Sequence, residues 1–217
     1  MSRNVVLWSG GLDSTVVLYD LLCNATQYYP VYAVTVQNYP QIHKPLLLQQ
    51  KKARKNFLKK YSKFNDRVKV HEIALTVTDG MDIGGSGHPQ AAFWLMAIVN
   101  FLQEGDTLYA GYIRGDDFWH IKTEYTQAFN SALAIRDLKG KVELSFPKEY
   151  WDKWRVLDHA NKSKIPKSCY WFCEDPKVTK NKVVACRNCA CCLSQAQAEL
   201  VLKLKGKSLE RLIETVD

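Results

Sequence analysis

Ser9-Gly10-Gly11-Leu12-Asp13-Ser14 stands between an apolar run, Val5-Val6-Leu7-Trp8, and a second apolar, helix-like run from Thr15 to Leu22. A strand, a glycine-bearing turn and a helix start, in that order, form a cradle for an anion. Glycine adopts positive φ without steric cost and lets the backbone approach a ligand closely. The first amides of the following helix lack partners within it and point at the turn. Ser9 and Ser14 add hydroxyls, and Asp13 is placed to cap the helix or to hold a metal ion. The loop has no lysine of the kind a Walker-type loop sets on the β/γ-phosphates. A cradle of amides and hydroxyls alone suits a diphosphate that departs as a unit. Ser, Gly and Asp are common in any turn, but two glycines flanked by two serines and an acid, at the end of the first strand, outweigh that plainer reading.

Outward from this loop, strand-like and helix-like segments alternate, the pattern of a doubly wound, mostly parallel five-stranded sheet in an α/β fold. Further strands are expected at 31–36, 68–73, 107–111 and 142–145. Helices are expected at 45–61, 91–102, 122–138, 149–161, 193–204 and 208–216. The 91–102 segment is apolar nearly all round, which predicts burial. The 78–88 segment holds four glycines without periodicity and reads as a loop.

Ligands of such sheets bind beyond the carboxyl ends of the strands. That rule gathers the 9–14 loop and the 37–43 segment, with Val34, Thr35 and Val36 placed to line an adenine slot. It adds the loop ending at His88 and the run Gly111-Tyr112-Ile113-Arg114-Gly115-Asp116-Asp117-Phe118-Trp119-His120. Paired carboxylates beside a triphosphate hold Mg²⁺ or orient an amine nucleophile. One of the two acids is expected to cap the next helix, and Asp116 is assigned to metal or amine handling. His43, His88 and His120 read as loop or surface histidines. Phe118 and Trp119 are flat enough to stack a heterocycle, although loop aromatics more often pack down.

The far end carries Cys186-x2-Cys189-x2-Cys192, with Cys169 lying 17 positions upstream of Cys186. Four thiolates around one tetrahedral Zn²⁺ fill its coordination, so the site reads as structural. Cys173 and Cys191 are spare; Cys191 abuts Cys192, and Cys173, four positions from Cys169, is able to replace it. A disulfide set fits poorly with an odd count of seven and with an N-terminus that does not read as a secretory signal. Scattered core thiols do not cluster as these do, six of the seven falling between 169 and 192.

A chain of 217 residues with 47% hydrophobic content is able to bury one sizeable core. It is expected to divide into an α/β ATP-binding part, 1–160, and a helical zinc-binding lobe, 161–217, within one compact unit. No apolar stretch approaches the ~20 residues of a membrane span, and with the thiol-rich site this points to a reducing cytoplasm. The net charge of +8 favours polyanions, ATP among them. Much of it lies in Lys51-Lys52-Ala53-Arg54-Lys55 and Lys59-Lys60 on one predicted helix, which reads as a solvated face. Direct nucleic-acid binding is therefore not expected.

The 9–14 loop resembles the PP-loop of the N-type ATP pyrophosphatases, which adenylate a substrate oxygen and release pyrophosphate. The resemblance implies an ATP-binding stretch of Trp8, Ser9, Gly10, Gly11, Leu12, Asp13, Ser14, Thr15, Val16, Val17 and Leu18, joined by Val34 and Gly111. Asp13, Ser14 and Asp116 would act at the reacting centre. Over nearly the whole length, the chain is similar to the 7-cyano-7-deazaguanine synthases. The matching pieces are residues 9–14, 39–43 and 111–116, Pro147 with Lys153, Ser168-Cys169-Tyr170, and Cys186, Cys189 and Cys192. The resemblance implies conversion of 7-carboxy-7-deazaguanine and ammonia to the nitrile, in queuosine-type nucleoside biosynthesis. It also implies ATP, Mg²⁺ and Zn²⁺ as cofactors, homodimers, and Cys169 as the fourth zinc ligand. Gly87-His88-Pro89-Gln90 stands where that family has an Arg-Asn pair, and Arg187 where it has a glycine after the first cysteine of the tight run. The gap between Cys169 and Cys186 is also longer, which predicts an extending loop at 175–184.

A rival enzyme reading is a PP-loop sulfurtransferase that thiolates tRNA, with Cys173 or Cys191 carrying sulfur. The sequence shows no isolated cysteine in the expected ATP cleft and no separate RNA-binding domain. A third reading is a nucleotide sensor that binds ATP without chemistry. An intact Ser-Gly-Gly-x-Asp-Ser loop speaks against it.

Overall fold

The computed structural model of the chain describes residues 2–24, 30–38, 44–75, 90–180 and 182–214. Strands β1 (Asn4–Leu7), β2 (Val31–Asn38), β3 (Val68–Leu75), β4 (Thr107–Ala110) and β5 (Glu143–Ser145) form one sheet in the order β3-β2-β1-β4-β5. Every adjacent pair is parallel. The alternation of side chains along each strand builds two cores. Val6 and Trp8 face one side, with α1 (Leu12–Asn24), α2 (Lys44–Lys60), α5 (Lys153–Lys162) and α6 (Ala190–Glu214). Val5 and Leu7 face the other, with α3 (Gln90–Val99) and α4 (Lys122–Ile135). Burial on both faces explains why β1 reads as a continuous apolar run rather than an alternating one.

Helix α1 is enclosed between the sheet and α5, and Val16, Leu18 and Leu22 are fully buried. Each such side chain contributes roughly 1.5–3 kcal/mol relative to an exposed one, so the helix that begins at the loop is held along most of its length. The segment 161–214 does not pack as a separate body. Ile165, Cys169, Tyr170 and Ala198 belong to the same core cluster as α1 and α2.

Several boundaries differ from the sequence expectation, each for a local reason. Helix α1 starts at Leu12 rather than Thr15, because the Thr15 amide already donates to the Gly11 carbonyl at 3.1 Å. The helix expected at 149 begins at Lys153, since Glu149 and Trp151 donate their amides to turns ending on Phe146 and Lys148. The two helices expected at 193–204 and 208–216 are one, α6. Gly206 interrupts nothing, in keeping with the ~1 kcal/mol that a helical glycine costs. The extension at 175–184 is a hairpin, β6 (Lys177–Thr179) paired antiparallel with β7 (Lys182–Val184). No helix among the described residues is long and apolar enough to cross a membrane.

Candidate functional site

Strand β1 delivers the chain to Ser9 between β2 and β4, the point where the strand order reverses and where open parallel sheets bind ligands. Gly10 lies at φ +88°, and a Cβ there would stand 2.9 Å from the Gln50 carbonyl oxygen. Only glycine meets both the positive φ and the close approach of α2. Ser9 Oγ accepts the Gly11 amide at 3.1 Å and shares a hydrogen bond with Ser14 Oγ, also at 3.1 Å. The two hydroxyls thus meet at the mouth of α1, whose first amides have no intrahelical acceptors. Trp8 braces the loop from below: its amide donates to the Val34 carbonyl at 2.7 Å and its Nε1 to Thr15 Oγ1 at 3.1 Å. The Trp8 carbonyl accepts the Thr35 hydroxyl at 2.6 Å. Leu12, Val16, Val17, Leu18 and Val34 are at most 1% exposed; their side chains lie in the core, and what they supply at the loop is backbone position.

The cation absent from the loop arrives from α5, 140 positions later. Lys153 Nζ donates to Asp13 Oδ2 at 2.5 Å, with the two side chains 17% and 19% exposed. Burial alone pulls the Lys153 pKa down, but Asp13 and then Asp116 outweigh it and hold the ammonium above its ordinary value. Asp13 Oδ1 is buried without a hydrogen-bond partner among the described residues, an open acceptor beside the loop. A second cation, Arg54 of α2, is 4% exposed; it donates to the Ser9 carbonyl at 2.9 Å and to Glu72 Oε1 at 3.3 Å. The sequence placed Arg54 in a solvated run, whereas its side chain turns inward beneath the loop.

The stretch after β4 closes the opposite wall. A Cβ on Gly111 would stand 2.6 Å from the Ser14 amide nitrogen and 2.7 Å from its Cα. Gly111 therefore lets the first turn of α1 press onto the end of β4, and its part in the cradle is that close approach. Asp116 precedes a 3₁₀ turn, Asp117–Ile121, but makes no side-chain cap. Its Oδ2 instead accepts the Ile113 amide at 3.1 Å, and its charge acts on Lys153. Asp13, Lys153 and Asp116 thus form one electrostatic group. Phe118 is 4% exposed and stacks on Tyr112 with centroids 4.0 Å apart, so it packs down rather than awaiting a ligand. Trp119 lies edge-on to the exposed Tyr150. The 39–43 segment and the 76–89 loop, with His43 and His88, lie outside the described residues.

The thiols form a second centre. Sulfurs of Cys173, Cys186, Cys189 and Cys192 lie within 4.8 Å of one another, and Cys186 Sγ is 3.8 Å from Cys192 Sγ. This corrects the fourth position. Cys169 sits 1% exposed in the main core, in the 3₁₀ turn Lys167–Cys169, apart from that group. The hairpin β6–β7 is the cause: it folds the chain back so that the Cys186 amide donates to Cys173 Sγ at 3.2 Å. The Cys189 amide donates to Cys186 Sγ at 3.3 Å. Desolvation opposes ionisation of Cys186, but the Asn188 and Cys189 amides prevail and bring its pKa down to about 7.

A tetrahedron of ~2.3 Å Zn–S bonds has edges of about 3.8 Å, so this donor set fits one mononuclear ion with no open position. Arg187 takes φ +67°, the left-handed region in which glycine is unstrained. Arg187→Gly should raise stability by about 1 kcal/mol, read as a higher urea midpoint at unchanged metal content. A lower midpoint would mean that the arginine makes compensating contacts.

The two centres touch. The Trp171 amide donates to the Gly10 carbonyl at 2.9 Å, and Trp171 Nε1 donates to the Cys173 carbonyl at 2.7 Å. Cys191, next to Cys192 in the sequence, and Lys153 act on each other electrostatically; burial and then Glu174 push the Cys191 thiol well up.

No protein-family model and no curated protein matches the chain. Among solved structures, it is similar to the U34-tRNA thiolase NcsA from Methanococcus maripaludis with its [4Fe-4S] cluster, at a TM-score of 0.50 and 15% identity, covering 99% of this chain and 72% of that one. At that identity the likeness is one of fold. It bears out the doubly wound α/β fold, whose C-terminal cysteine cluster is suited to a metal.

Proposed function

We propose that the chain is a cytoplasmic carbon–nitrogen ligase that uses ATP to convert 7-carboxy-7-deazaguanine and ammonia to 7-cyano-7-deazaguanine. The observation that carries the reading is the cradle itself: Gly10 at positive φ, the Ser9 and Ser14 hydroxyls, and Lys153 held on Asp13. Ser9, Gly11, Ser14 and the amides of α1 bind the departing diphosphate, and Lys153 neutralises charge as it develops. In the first step the substrate carboxylate attacks the α-phosphorus and pyrophosphate leaves. Ammonia then displaces AMP to give the amide, and Asp116 accepts the proton that the attacking amine loses. A second ATP adenylates the amide oxygen, and loss of AMP with two protons leaves the nitrile. Asp13, with its open Oδ1, is the residue placed to hold Mg²⁺, which would supply charge neutralisation at the phosphates. Cys173, Cys186, Cys189 and Cys192 would hold Zn²⁺, which closes the lobe and takes no part in chemistry.

A second reading is thiolation of a tRNA base, with Cys191, whose thiol and the Lys153 ammonium act on each other electrostatically, as the sulfur carrier. Mass spectrometry of the products from ATP, ammonium and 7-carboxy-7-deazaguanine separates the two, run with the parent and with Cys191→Ser. Nitrile or amide formed equally by both proteins supports the ligase. No product from that acid, with sulfur entering tRNA only when Cys191 is present, would establish the thiolase instead.

A further inference from the structure

Residues 44–69 carry ten Lys and Arg against one acid, Asp66, a balance of +9 in a chain whose total is +8. All of the excess charge thus sits on α2, the turn after it and the start of β3, and the remainder of the chain is close to neutral. Elsewhere, six lysines are held by carboxylates, Lys122 by Glu149, Lys141 by Glu104, Lys148 by Asp20, Lys153 by Asp13, Lys162 by Asp158 and Lys167 by Glu199, while others such as the exposed Lys139 and Lys177 have none among the described residues. Among the described side chains of α2, Lys51 and the inward-turned Arg54 reach one, and both share Glu72. Lys52, Lys55, Lys59 and Lys60 are exposed and have no carboxylate partner among the described residues.

Lys52, Lys55 and Lys59 follow one another at three and four positions, one stripe rising ~10 Å along the helix, and Lys63 lies four positions further on. Like charges at that spacing repel one another and weaken the helix. A merely solvated face would be served as well by mixed signs. The apolar side of the same helix, Ala53 and Phe57, is buried, as is Tyr61 just past its end. The exposed face is therefore without the broad apolar strip that an interfacial membrane helix needs, Leu48 being its one large exposed apolar residue. Gln50 and Arg54, on the inner side, touch Gly10 and Ser9. The stripe consequently runs down the outside of a helix whose inner face supports the nucleotide loop.

We infer that this face docks a nucleic-acid backbone, RNA in particular, next to the ATP cleft. The inference revises the expectation of a solvated face and holds for either chemistry above. It places an RNA beside an enzyme whose proposed substrate is a small heterocyclic acid.

The test is fluorescence anisotropy with a labelled stem-loop RNA between 50 and 200 mM salt. The parent is compared with Lys52→Gln/Lys55→Gln/Lys59→Gln/Lys63→Gln, whose exposed positions accept glutamine within a helix. A second variant, Lys139→Gln/Lys162→Gln/Lys177→Gln/Lys203→Gln, has the same net charge. The parent should bind with a log–log salt slope that the α2 variant lowers by about 3, from ~0.7–0.9 per phosphate contact, while the second variant leaves it unchanged. Equal weakening by both variants would reduce the effect to net charge and overturn the inference. So would an unaltered α2 variant, or binding to phosphatidylserine vesicles with none to RNA. Because binding is read without ATP, failure of the ligase reading leaves this result intact, and the converse also holds.

Discussion

Replacing Asp13 by Asn should lower pyrophosphate release from ATP by about two to three orders of magnitude, the scale of losing one preorganised electrostatic contact at a reacting centre. Asparagine keeps the shape and a hydrogen-bond acceptor for Lys153, but removes the charge that the ammonium faces at 2.5 Å. The Lys153 pKa, held up by Asp13 against burial, should then fall. The loss of the pair should also destabilise the fold by on the order of 2 kcal/mol, below the 3–5 kcal/mol of a fully enclosed pair because both side chains retain some exposure. The double variant Asp13→Asn/Lys153→Met separates the two effects. Removing both charges should restore the urea midpoint without restoring pyrophosphate release. Parent-like turnover in Asp13→Asn would remove Asp13 from the machinery, and recovery of turnover in the double variant would show its role to be structural.

That experiment turns on a pair the sequence placed 140 positions apart, which explains what was legible and what was not. The loop was legible because its signals are local: glycine where φ is positive, hydroxyls flanking it, an apolar strand before and an apolar helix after. The five strands were legible for the same reason, since burial on both faces leaves runs such as Val31 to Val36 nearly free of charge. Partners fixed by the tertiary fold were not. Lys153 entered only as a matching piece of a resemblance, and nothing near it in sequence aims it at Asp13. Arg54 was hidden among lysines that look alike in one dimension, although the helical period turns it inward and them outward. Cys173 and Cys169 were indistinguishable by spacing, and the choice fell to a hairpin of two three-residue strands, too short to announce itself. Gly206 misled in the other direction, because a single glycine weakens a helix without ending it.

The thiol cluster makes the complementary prediction, with the largest expected effect on stability. Cys173→Ser should strip the metal and cost several kcal/mol of the ~10–16 kcal/mol that a closed zinc site supplies to folding, whereas Cys169→Ser should leave metal content at the parent level. Elemental analysis and thermal melting of the two variants side by side decide it. Metal lost from Cys169→Ser and retained by Cys173→Ser would reverse the assignment. The zinc reading expects one zinc per chain without visible iron–sulfur absorbance, and the 3.8 Å sulfur separation suits it. A four-iron cluster would sit between thiolates held further apart. The damage from Cys173→Ser should also reach the glycine loop at 9–14. The Cys173 carbonyl holds the Trp171 indole, and the Trp171 amide holds the Gly10 carbonyl. Loosening the metal segment therefore frees the turn whose positive φ builds the cradle. The Michaelis constant for ATP should rise, although no cysteine of the cluster touches the loop. An unchanged constant in the metal-free protein would mean that the cradle keeps its shape without this brace.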